Sequence, residues 1–269
     1  MIHLRNILKR KKIALAGFSN WKSWMKDYYP NYELIFLGHG KTFNKSLLDQ
    51  FKKDKPSEIW VWSYKCPKFL FDYARSNNIP VKYIEDGFIR GLGLGVNKSK
   101  PLSLAIDTRA MHFDRDNISD LENMIYVFDE NKATKIIKES KVILDSFIAN
   151  NISKYMFSSS EDIEYTKSGI LVLGQVEDDL SIIYGMKDKL TSNELVKIAK
   201  DENPNKTIYY RPHPESIANP KEHYSKPEDV SDICTIIDPS ISLQHCFKIA
   251  EKVYTFTSLS GFEAVIHGI

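Results

Sequence analysis

Four things are scarce or missing in this 269-residue chain. No stretch approaches the roughly 18 consecutive apolar residues that a membrane-spanning helix needs. The basic start, Met1 to Lys12, has no apolar core of the kind a secretory signal carries. Cysteine is limited to 3 scattered residues, Cys66, Cys234 and Cys246. That number and spacing exclude a disulfide framework and a thiolate metal cluster, and they suit a reducing compartment. An excess of one charge is also missing. Lys and Arg total 37 against 35 Asp and Glu, a net +2, so no global field argues for nucleic acid. A soluble cytoplasmic protein is expected. Arg5, Lys9, Arg10, Lys11 and Lys12 form one basic cluster. It reads as a solvated leader, with contact to an anionic membrane face as the alternative.

What is present is enough apolar material for a core: 42% hydrophobic residues, 12% aromatic. Short apolar runs alternate with helical spacing. Ile13–Phe18, Tyr32–Leu37, Ile59–Trp62 and Pro80–Ile84 read as strands. Between them lie helix patterns: Trp21, Trp24 and Met25 after a Ser19 or Asn20 cap; Phe43, Leu47, Leu48 and Phe51; then Phe69 to Ala74. Such alternation predicts a parallel sheet covered on both faces. Leu102 to Asp107 adds a short strand, and Ser119-Asp120-Leu121-Glu122 has capping-box spacing. A longer helix is predicted over Asp129 to Asn150, with apolar positions every three or four residues.

The polar run from Ser158 reads as a linker over 158–168. It separates an N-terminal Rossmann-like domain, 1–157, from a second, 169–269. The second alternation takes Ile170–Leu173, Thr207–Tyr210, Cys234–Ile237 and Val253–Phe256 as strands. Ser192 is expected to cap one helix; Leu243, Cys246, Phe247 and Ile249 mark another; a last one starts at Ser260. The expected fold class is α/β and GT-B-like, with two Rossmann-like domains facing a cleft. The pattern stops at His267-Gly268-Ile269, short of a final strand and covering helix, so the second domain is expected to be truncated.

The chemistry collects at predicted strand ends, where open α/β sheets bind ligands. Tyr83-Ile84 runs into Glu85-Asp86-Gly87-Phe88-Ile89-Arg90. An isolated acid-acid-glycine is more often a solvated turn. Here two further strand ends carry polar groups, Gln175-Val176-Glu177-Asp178-Asp179 and Arg211-Pro212-His213-Pro214. His213 between prolines is a candidate phosphate donor. Thr257-Ser258-Leu259-Ser260-Gly261 joins a strand to a helix, a place that serves both N-capping and anion binding. Gly91-Leu92-Gly93-Leu94-Gly95 matches no phosphate-loop spacing and reads as a flexible loop. Asp114-Arg115-Asp116 has the D-x-D form of some metal sites, but further oxygen ligands are distant in sequence, and no metal is expected.

These motifs occur in an order that resembles the bacterial capsule polysaccharide biosynthesis proteins, the retaining β-Kdo transferases. The matching set is Glu85-Asp86-Gly87-Phe88-Ile89-Arg90, Gly93-Leu94-Gly95, Ser119 to Glu122, Ser153-Lys154-Tyr155, Gly174 to Ile182, Arg211 to Pro214 and Thr257 to Ala264. Phe18-Ser19-Asn20-Trp21-Lys22 resembles the opening of the second catalytic module in two-module members. The resemblance implies CMP-Kdo as donor and a lipid-linked saccharide acceptor at the inner face of the inner membrane, near capsule assembly proteins. It implies no cofactor. In the family pattern Gln-x-x-x-Asp-x-Ser, this chain has Gln175, Asp179 and Ser181. Asp179 is thereby the expected nucleophile, with Asp178 as alternative. Glu85 or Asp86 is the expected acid/base. Arg90 is expected to hold the sugar carboxylate; Gln175, Arg211, His213, Ser258, Ser260 and Glu263 are expected around the donor. This chain departs from the family pattern at Gly91, at His112-Phe113 and at Met156. Two other readings stand beside the transferase: an inactive remnant or scaffold, and a GT-B transferase that uses CDP-glycerol.

Overall fold

The computed structural model describes residues 10–40, 46–89, 98–150, 152–153, 168–218, 220–221 and 224–269. They divide into two compact units. The first takes those within Met1–Gly87, Gly95–His112 and Asn117–Asn123; the second takes those within Phe88–Leu94, Phe113–Asp116 and Met124–Ile269. The division thus comes earlier than the linker expected at 158–168, most of which lies outside the described residues.

In the first unit, apolar runs become β1 (Lys11–Ala16), β2 (Tyr32–Phe36), β3 (Glu58–Trp62) and β4 (Val81–Asp86), followed by β5 (Leu104–Asp107). The sheet order is β2-β1-β3-β4-β5. The first four strands are parallel, while β5 pairs antiparallel with β4. The parallel sheet expected from the first four runs is thus extended by an antiparallel edge strand. Among the described residues between β4 and β5 there is no crossover helix, in keeping with the antiparallel direction. Helices α1 (Met25–Tyr28), α2 (Ser46–Asp54) and α3 (Lys68–Ser76) cover the sheet. Ahead of α1, residues Asn20–Trp24 form a 3-10 turn whose Ser19 makes no side-chain cap bond.

Alternating side chains build two cores. Ile13, Leu15, Trp60, Trp62 and Ile84 pack with Phe18, Trp24 and Met25 on one face. Ala14, Ala16, Ile59 and Val61 pack with Phe51, Leu70 and Ala74 on the other. Truncating a ring as enclosed as Phe51 costs about 3–5 kcal/mol in such a setting. Lys11 and Lys12 open β1 and pair with Glu58 and Glu33, so this part of the basic cluster is structural. Arg5 and Lys9 lie outside the described residues.

Between β5 and β6 in the sequence come α4 (Asp120–Tyr126) and α5 (Thr134–Ala149). Ser119 caps α4 as expected, its hydroxyl accepting from the Glu122 amide at 3.0 Å. The α5 pattern is helical, yet none of its residues is buried, and Ile143 is 56% exposed.

The second unit contains β6 (Gly169–Leu173), α6 (Leu180–Gly185), α7 (Ser192–Glu202), β7 (Ile208–Arg211), α8 (Pro214–Ala218), β8 (Thr235–Ile236), α9 (Leu243–Phe247), β9 (Ala250–Tyr254) and α10 (Leu259–Ile266). Its parallel sheet has the order β8-β7-β6-β9. From β6 the chain builds outward through β7 and β8, then returns to the other side with β9. The switch point, where a crevice opens, is between β6 and β9. Among the described residues, no helix is long and apolar enough to cross a membrane.

Candidate functional site

In the second unit the expected residues gather at the carboxyl ends of the parallel strands. Gly174 follows β6, and a Cβ there would lie 3.1 Å from Pro212 Cα and 3.2 Å from the His213 nitrogen. Its amide donates to the Arg211 carbonyl at 2.9 Å. A side chain here would have to push these neighbours back by a few tenths of an ångström, and the close approach brings Gln175 beside the Pro212-His213 turn.

Gln175 is buried and turned inward. Its Nε2 donates to Ser181 Oγ at 2.8 Å and to Thr257 Oγ1 at 2.9 Å. Its Oε1 accepts from the Thr257 amide at 3.2 Å. Thr257 Oγ1 donates to Ser181 Oγ at 2.9 Å, and Ser181 Oγ donates to Asp179 Oδ1 at 2.6 Å. Every hydroxyl proton in this set points toward Asp179. The carboxylate is also the N-cap of α6, with Oδ1 accepting from the Ser181 amide at 2.8 Å. One oxygen is thus committed twice, while Oδ2 makes no hydrogen bond to any described residue. Such a carboxylate is oriented and held as an acceptor. Gln175 was expected to touch substrate; the structure gives its amide to this internal network.

Asp178 differs from its neighbour. Its two oxygens contact the Lys221 ammonium and the Tyr224 hydroxyl. The hydrogen bond that Lys221 donates to Asp178 pushes the Lys221 amine up from its ordinary value. A carboxylate paired in this way is less available for attack than Asp179. Glu177 is a clamp: Oε1 accepts from the Ser192 amide at 2.8 Å, and Oε2 from the Ser225 amide at 3.1 Å.

His213 Nδ1 accepts from the Glu215 amide at 3.1 Å. The neutral imidazole therefore carries its proton on Nε2, which is the donor form that a phosphate oxygen requires. Ser258 caps α10, its hydroxyl accepting from the Ser260 amide at 3.3 Å. Ser258 and Ser260 thus sit at a helix start beside Thr257. Arg211 is buried, and its Nε and Nη2 donate to the carbonyls of Ile241 and Pro239 at 2.7–3.1 Å. Glu263, also buried, adds a favourable charge to that guanidinium. Both were expected at the donor; these contacts anchor the 239–241 loop.

In the first unit Glu85 and Asp86 are the last residues of β4 rather than a turn beyond it. The glycine that follows is tight, since a Cβ on Gly87 would lie 2.2 Å from Ser103 Oγ. Burial, and then the Asp86 charge, push the Glu85 carboxyl above its ordinary range, while the hydrogen bond from the Asp86 amide, and then Lys22 and Lys65, pull it back. A raised carboxyl suits proton transfer near neutral pH. Arg90 and the glycine loop at 91–95 lie outside the described residues. In the D-x-D triplet, Asp114 Oδ1 accepts from the Asp116 amide at 2.9 Å and Arg115 Nε reaches Asp116 at 3.2 Å. Among the described residues, no three His, Cys, Asp or Glu side chains are grouped to hold a metal.

A profile of the capsule polysaccharide biosynthesis protein family matches residues 151–269, which include the whole Gln175–Thr257 network. Over those residues the chain matches that family. It is 32% identical over 259 residues to the lipopolysaccharide-processing protein LpsZ of Rhizobium meliloti, covering 94% of this chain and 59% of LpsZ. It is 31% identical over 271 residues to the capsule polysaccharide modification protein LipA of Neisseria meningitidis serogroup B, covering 98% and 37% respectively. The chain therefore spans about three fifths or less of these curated relatives. Two solved structures from Thermosulfurimonas dismutans share its architecture. KpsC, β-Kdo 2,7 transferase, has a TM-score of 0.69 and 26% identity, covering 97% of this chain and 76% of that one. KpsC, β-Kdo 2,4 transferase, has a TM-score of 0.74 and 22% identity, covering 97% and 78%. With two Rossmann-like units, the chain has a GT-B-like α/β fold.

Proposed function

We propose that this chain is a glycosyltransferase that moves β-Kdo from CMP-Kdo to a lipid-linked saccharide acceptor, with retention by double displacement. The observation that carries the reading is the Asp179 carboxylate: one oxygen is fixed by Ser181, and the other is left open at the switch point of the second sheet. The likeness at 26% identity to a solved β-Kdo transferase supports the choice of sugar. In the first step Asp179 Oδ2 attacks the anomeric carbon, and CMP leaves with the bonding electron pair on its phosphate oxygen. His213 Nε2–H and the hydroxyls of Ser258 and Ser260 stabilise that charge. In the second step the acceptor hydroxyl gives its proton to Glu85 or Asp86 and displaces the aspartyl ester, which restores the carboxylate. Arg90 is the proposed partner of the sugar carboxylate. The reaction needs no cofactor. Work at the inner membrane face follows from the lipid-linked acceptor in this reading.

The test is incubation of the chain with CMP-Kdo, and in parallel with CDP-glycerol, with CMP release measured and the intact protein weighed. A Kdo mass adduct mapping to Asp179 is expected. Turnover of CDP-glycerol alone would replace the substrate assignment. Neither turnover nor an adduct with either donor would leave a non-catalytic capsule protein.

A further inference from the structure

The run Trp62-Ser63-Tyr64-Lys65 belongs to no motif, yet it ends the central strand of the first sheet in an unusual way. The Lys65 amide donates to the Trp62 carbonyl at 2.9 Å, which closes a four-residue turn. Ser63, its first central residue, has a left-handed φ of 51°. A turn of that hand favours glycine there, because a Cβ crowds the backbone. Ser63 is also buried, at 1% exposure, and its hydroxyl makes no hydrogen bond to any described residue. A buried hydroxyl without a partner destabilises a fold. Glycine would remove both penalties, so this serine combines a strained backbone with an unmet hydroxyl.

The turn is held from three sides. Towards β1, a Cβ on Gly17 would lie 2.4 Å from the Lys65 carbonyl oxygen, so the two strand ends meet backbone to backbone. Towards β4, the Tyr64 ring stands edge-on to Tyr83, with centroids 5.1 Å apart. Beyond β5, the Met111 amide donates to the Tyr64 hydroxyl at 2.9 Å. Backbone strain that surrounding contacts maintain in this way collects at ligand sites.

The topology makes this a place for a ligand. In the first sheet the chain builds from β1 out to β2, then returns to the other side with β3. The crevice of such a sheet opens at that switch point, between the carboxyl ends of β1 and β3. Gly17 and Ser63 are the residues that follow those two ends. Trp62 pairs in register with Ile84, and the Ser63 amide donates to the Ile84 carbonyl at 2.7 Å. Ser63 therefore stands one residue past that pair on β3, as Glu85 does on β4.

We propose that Ser63 is a ligand residue of the first unit: its hydroxyl meets a hydroxyl group of a saccharide held in the crevice where Glu85 and Asp86 end β4. A serine hydroxyl both donates and accepts, as a sugar hydroxyl does. That the saccharide is the acceptor rests on the transferase reading. That Ser63 binds it is open to a test without turnover.

The experiment compares the wild-type chain with Ser63→Ala and Ser63→Gly, with octyl β-Kdo glycoside as a soluble probe for a lipid-linked saccharide. Calorimetry measures binding of the probe, thermal unfolding measures stability, and CMP release measures turnover of CMP-Kdo. Ser63→Gly should melt higher than wild type, because it loses the strain and the unmet hydroxyl; Ser63→Ala, which loses only the hydroxyl, should lie between them. Both variants should bind the probe about fivefold or more weakly than wild type. Equal weakening in the two shows that binding follows the hydroxyl and not the backbone. Wild-type affinity in either folded variant overturns the proposal, and so does a wild-type chain that does not bind the probe. Should one variant not fold, the other decides. Weakened binding without CMP-Kdo turnover in wild type would discard the transferase reading and keep the saccharide site; turnover with unchanged affinities would do the reverse.

Discussion

Gln175 and Thr257 join the ends of β6 and β9 through both halves of one side-chain amide, Nε2 to Oγ1 at 2.9 Å and Oε1 from the backbone N–H at 3.2 Å. The link crosses the switch point of the second sheet. It locks the loop before α10 to the turn before α6, and so ties the proposed phosphate donors to the proposed nucleophile. Gln175→Leu and Thr257→Val should each destabilise the chain by about 1–3 kcal/mol, because each leaves a buried polar partner unmatched. The double variant should lose less than the sum, with a coupling of about 1 kcal/mol. Denaturant unfolding of the four proteins checks this, and strict additivity would show that the two residues do not act together.

Asp179 has a structural duty and a proposed chemical one, and two substitutions separate them. Asp179→Asn keeps an oxygen to cap α6, while Asp179→Ala removes the cap at a cost of about 1 kcal/mol. Both should abolish adduct formation with CMP-Kdo, and only the alanine should lower the melting temperature. Asp178→Ala should still form the adduct, since its loss releases Lys221 and Tyr224 rather than the attacking oxygen. Peptide mapping after donor incubation decides; an adduct on Asp178 reverses the two roles.

The hydrogen bond from Glu215 fixes which nitrogen of His213 is the proposed phosphate donor. Asparagine can place its oxygen near the Nδ1 position, whereas glutamine can place its amide near Nε2. His213→Asn should keep wild-type stability and weaken CMP binding about tenfold or more. His213→Gln should bind CMP better than His213→Asn does. Calorimetric titration with CMP measures both, and equal affinities would remove Nε2 from the phosphate site.

Glu85 makes stability depend on pH in a definite direction. Its carboxyl is raised in the folded state by burial and by Asp86. The contribution to stability is therefore full below the ordinary glutamate range, and it is lost as pH rises through the folded value. Glu85→Gln removes the ionisation. Its melting temperature should exceed wild type at neutral pH and converge with it in acid. Melting curves across that range check the sign, and a wild-type advantage at neutral pH would contradict it.

The three thiols should be inert. Burial pushes Cys66 up to about 12 and Cys234 and Cys246 up to about 11. The thiolate is the reactive form. Iodoacetamide at neutral pH should leave the native chain unlabelled over a time in which free cysteine reacts fully, and should label three sites once it is unfolded. Rapid labelling of native Cys66 would count against its burial.

The strands were legible because buried runs such as Ile59–Trp62 and Ile170–Leu173 have few other ways to fold. Boundaries were less so. Thr191, not Ser192, caps α7, because Thr191 forms a full capping box with Glu194. That frees Ser192 Oγ to meet the backbone of Gln175 at 3.3 Å. The six-residue α6 carries too little periodicity to be read, and it is stabilised by a cap that only the fold reveals. The residues of the second site were legible by motif, but their division of labour was not. Nothing in Gln175 or Arg211 as letters says that one amide turns inward and one guanidinium serves backbone carbonyls 28 and 30 residues away. Ser63 was hidden for the same reason: a serine after a strand reads as an ordinary turn until its hydroxyl is found buried, with no partner among the described residues.

The Ser181 contacts that steady Asp179 also bear on how fast it lets go. In a double displacement the same carboxylate must arrive as attacker and depart as leaving group. With Oδ1 held by an amide and a hydroxyl, the ester built on Oδ2 has a carbonyl oxygen already supplied with two donors. As that bond breaks, negative charge returns to an oxygen that two protons face. In the proposed mechanism Ser181 then sets the residence time on the enzyme: losing its hydroxyl should lengthen the life of the glycosyl ester and slow the cycle at its second half.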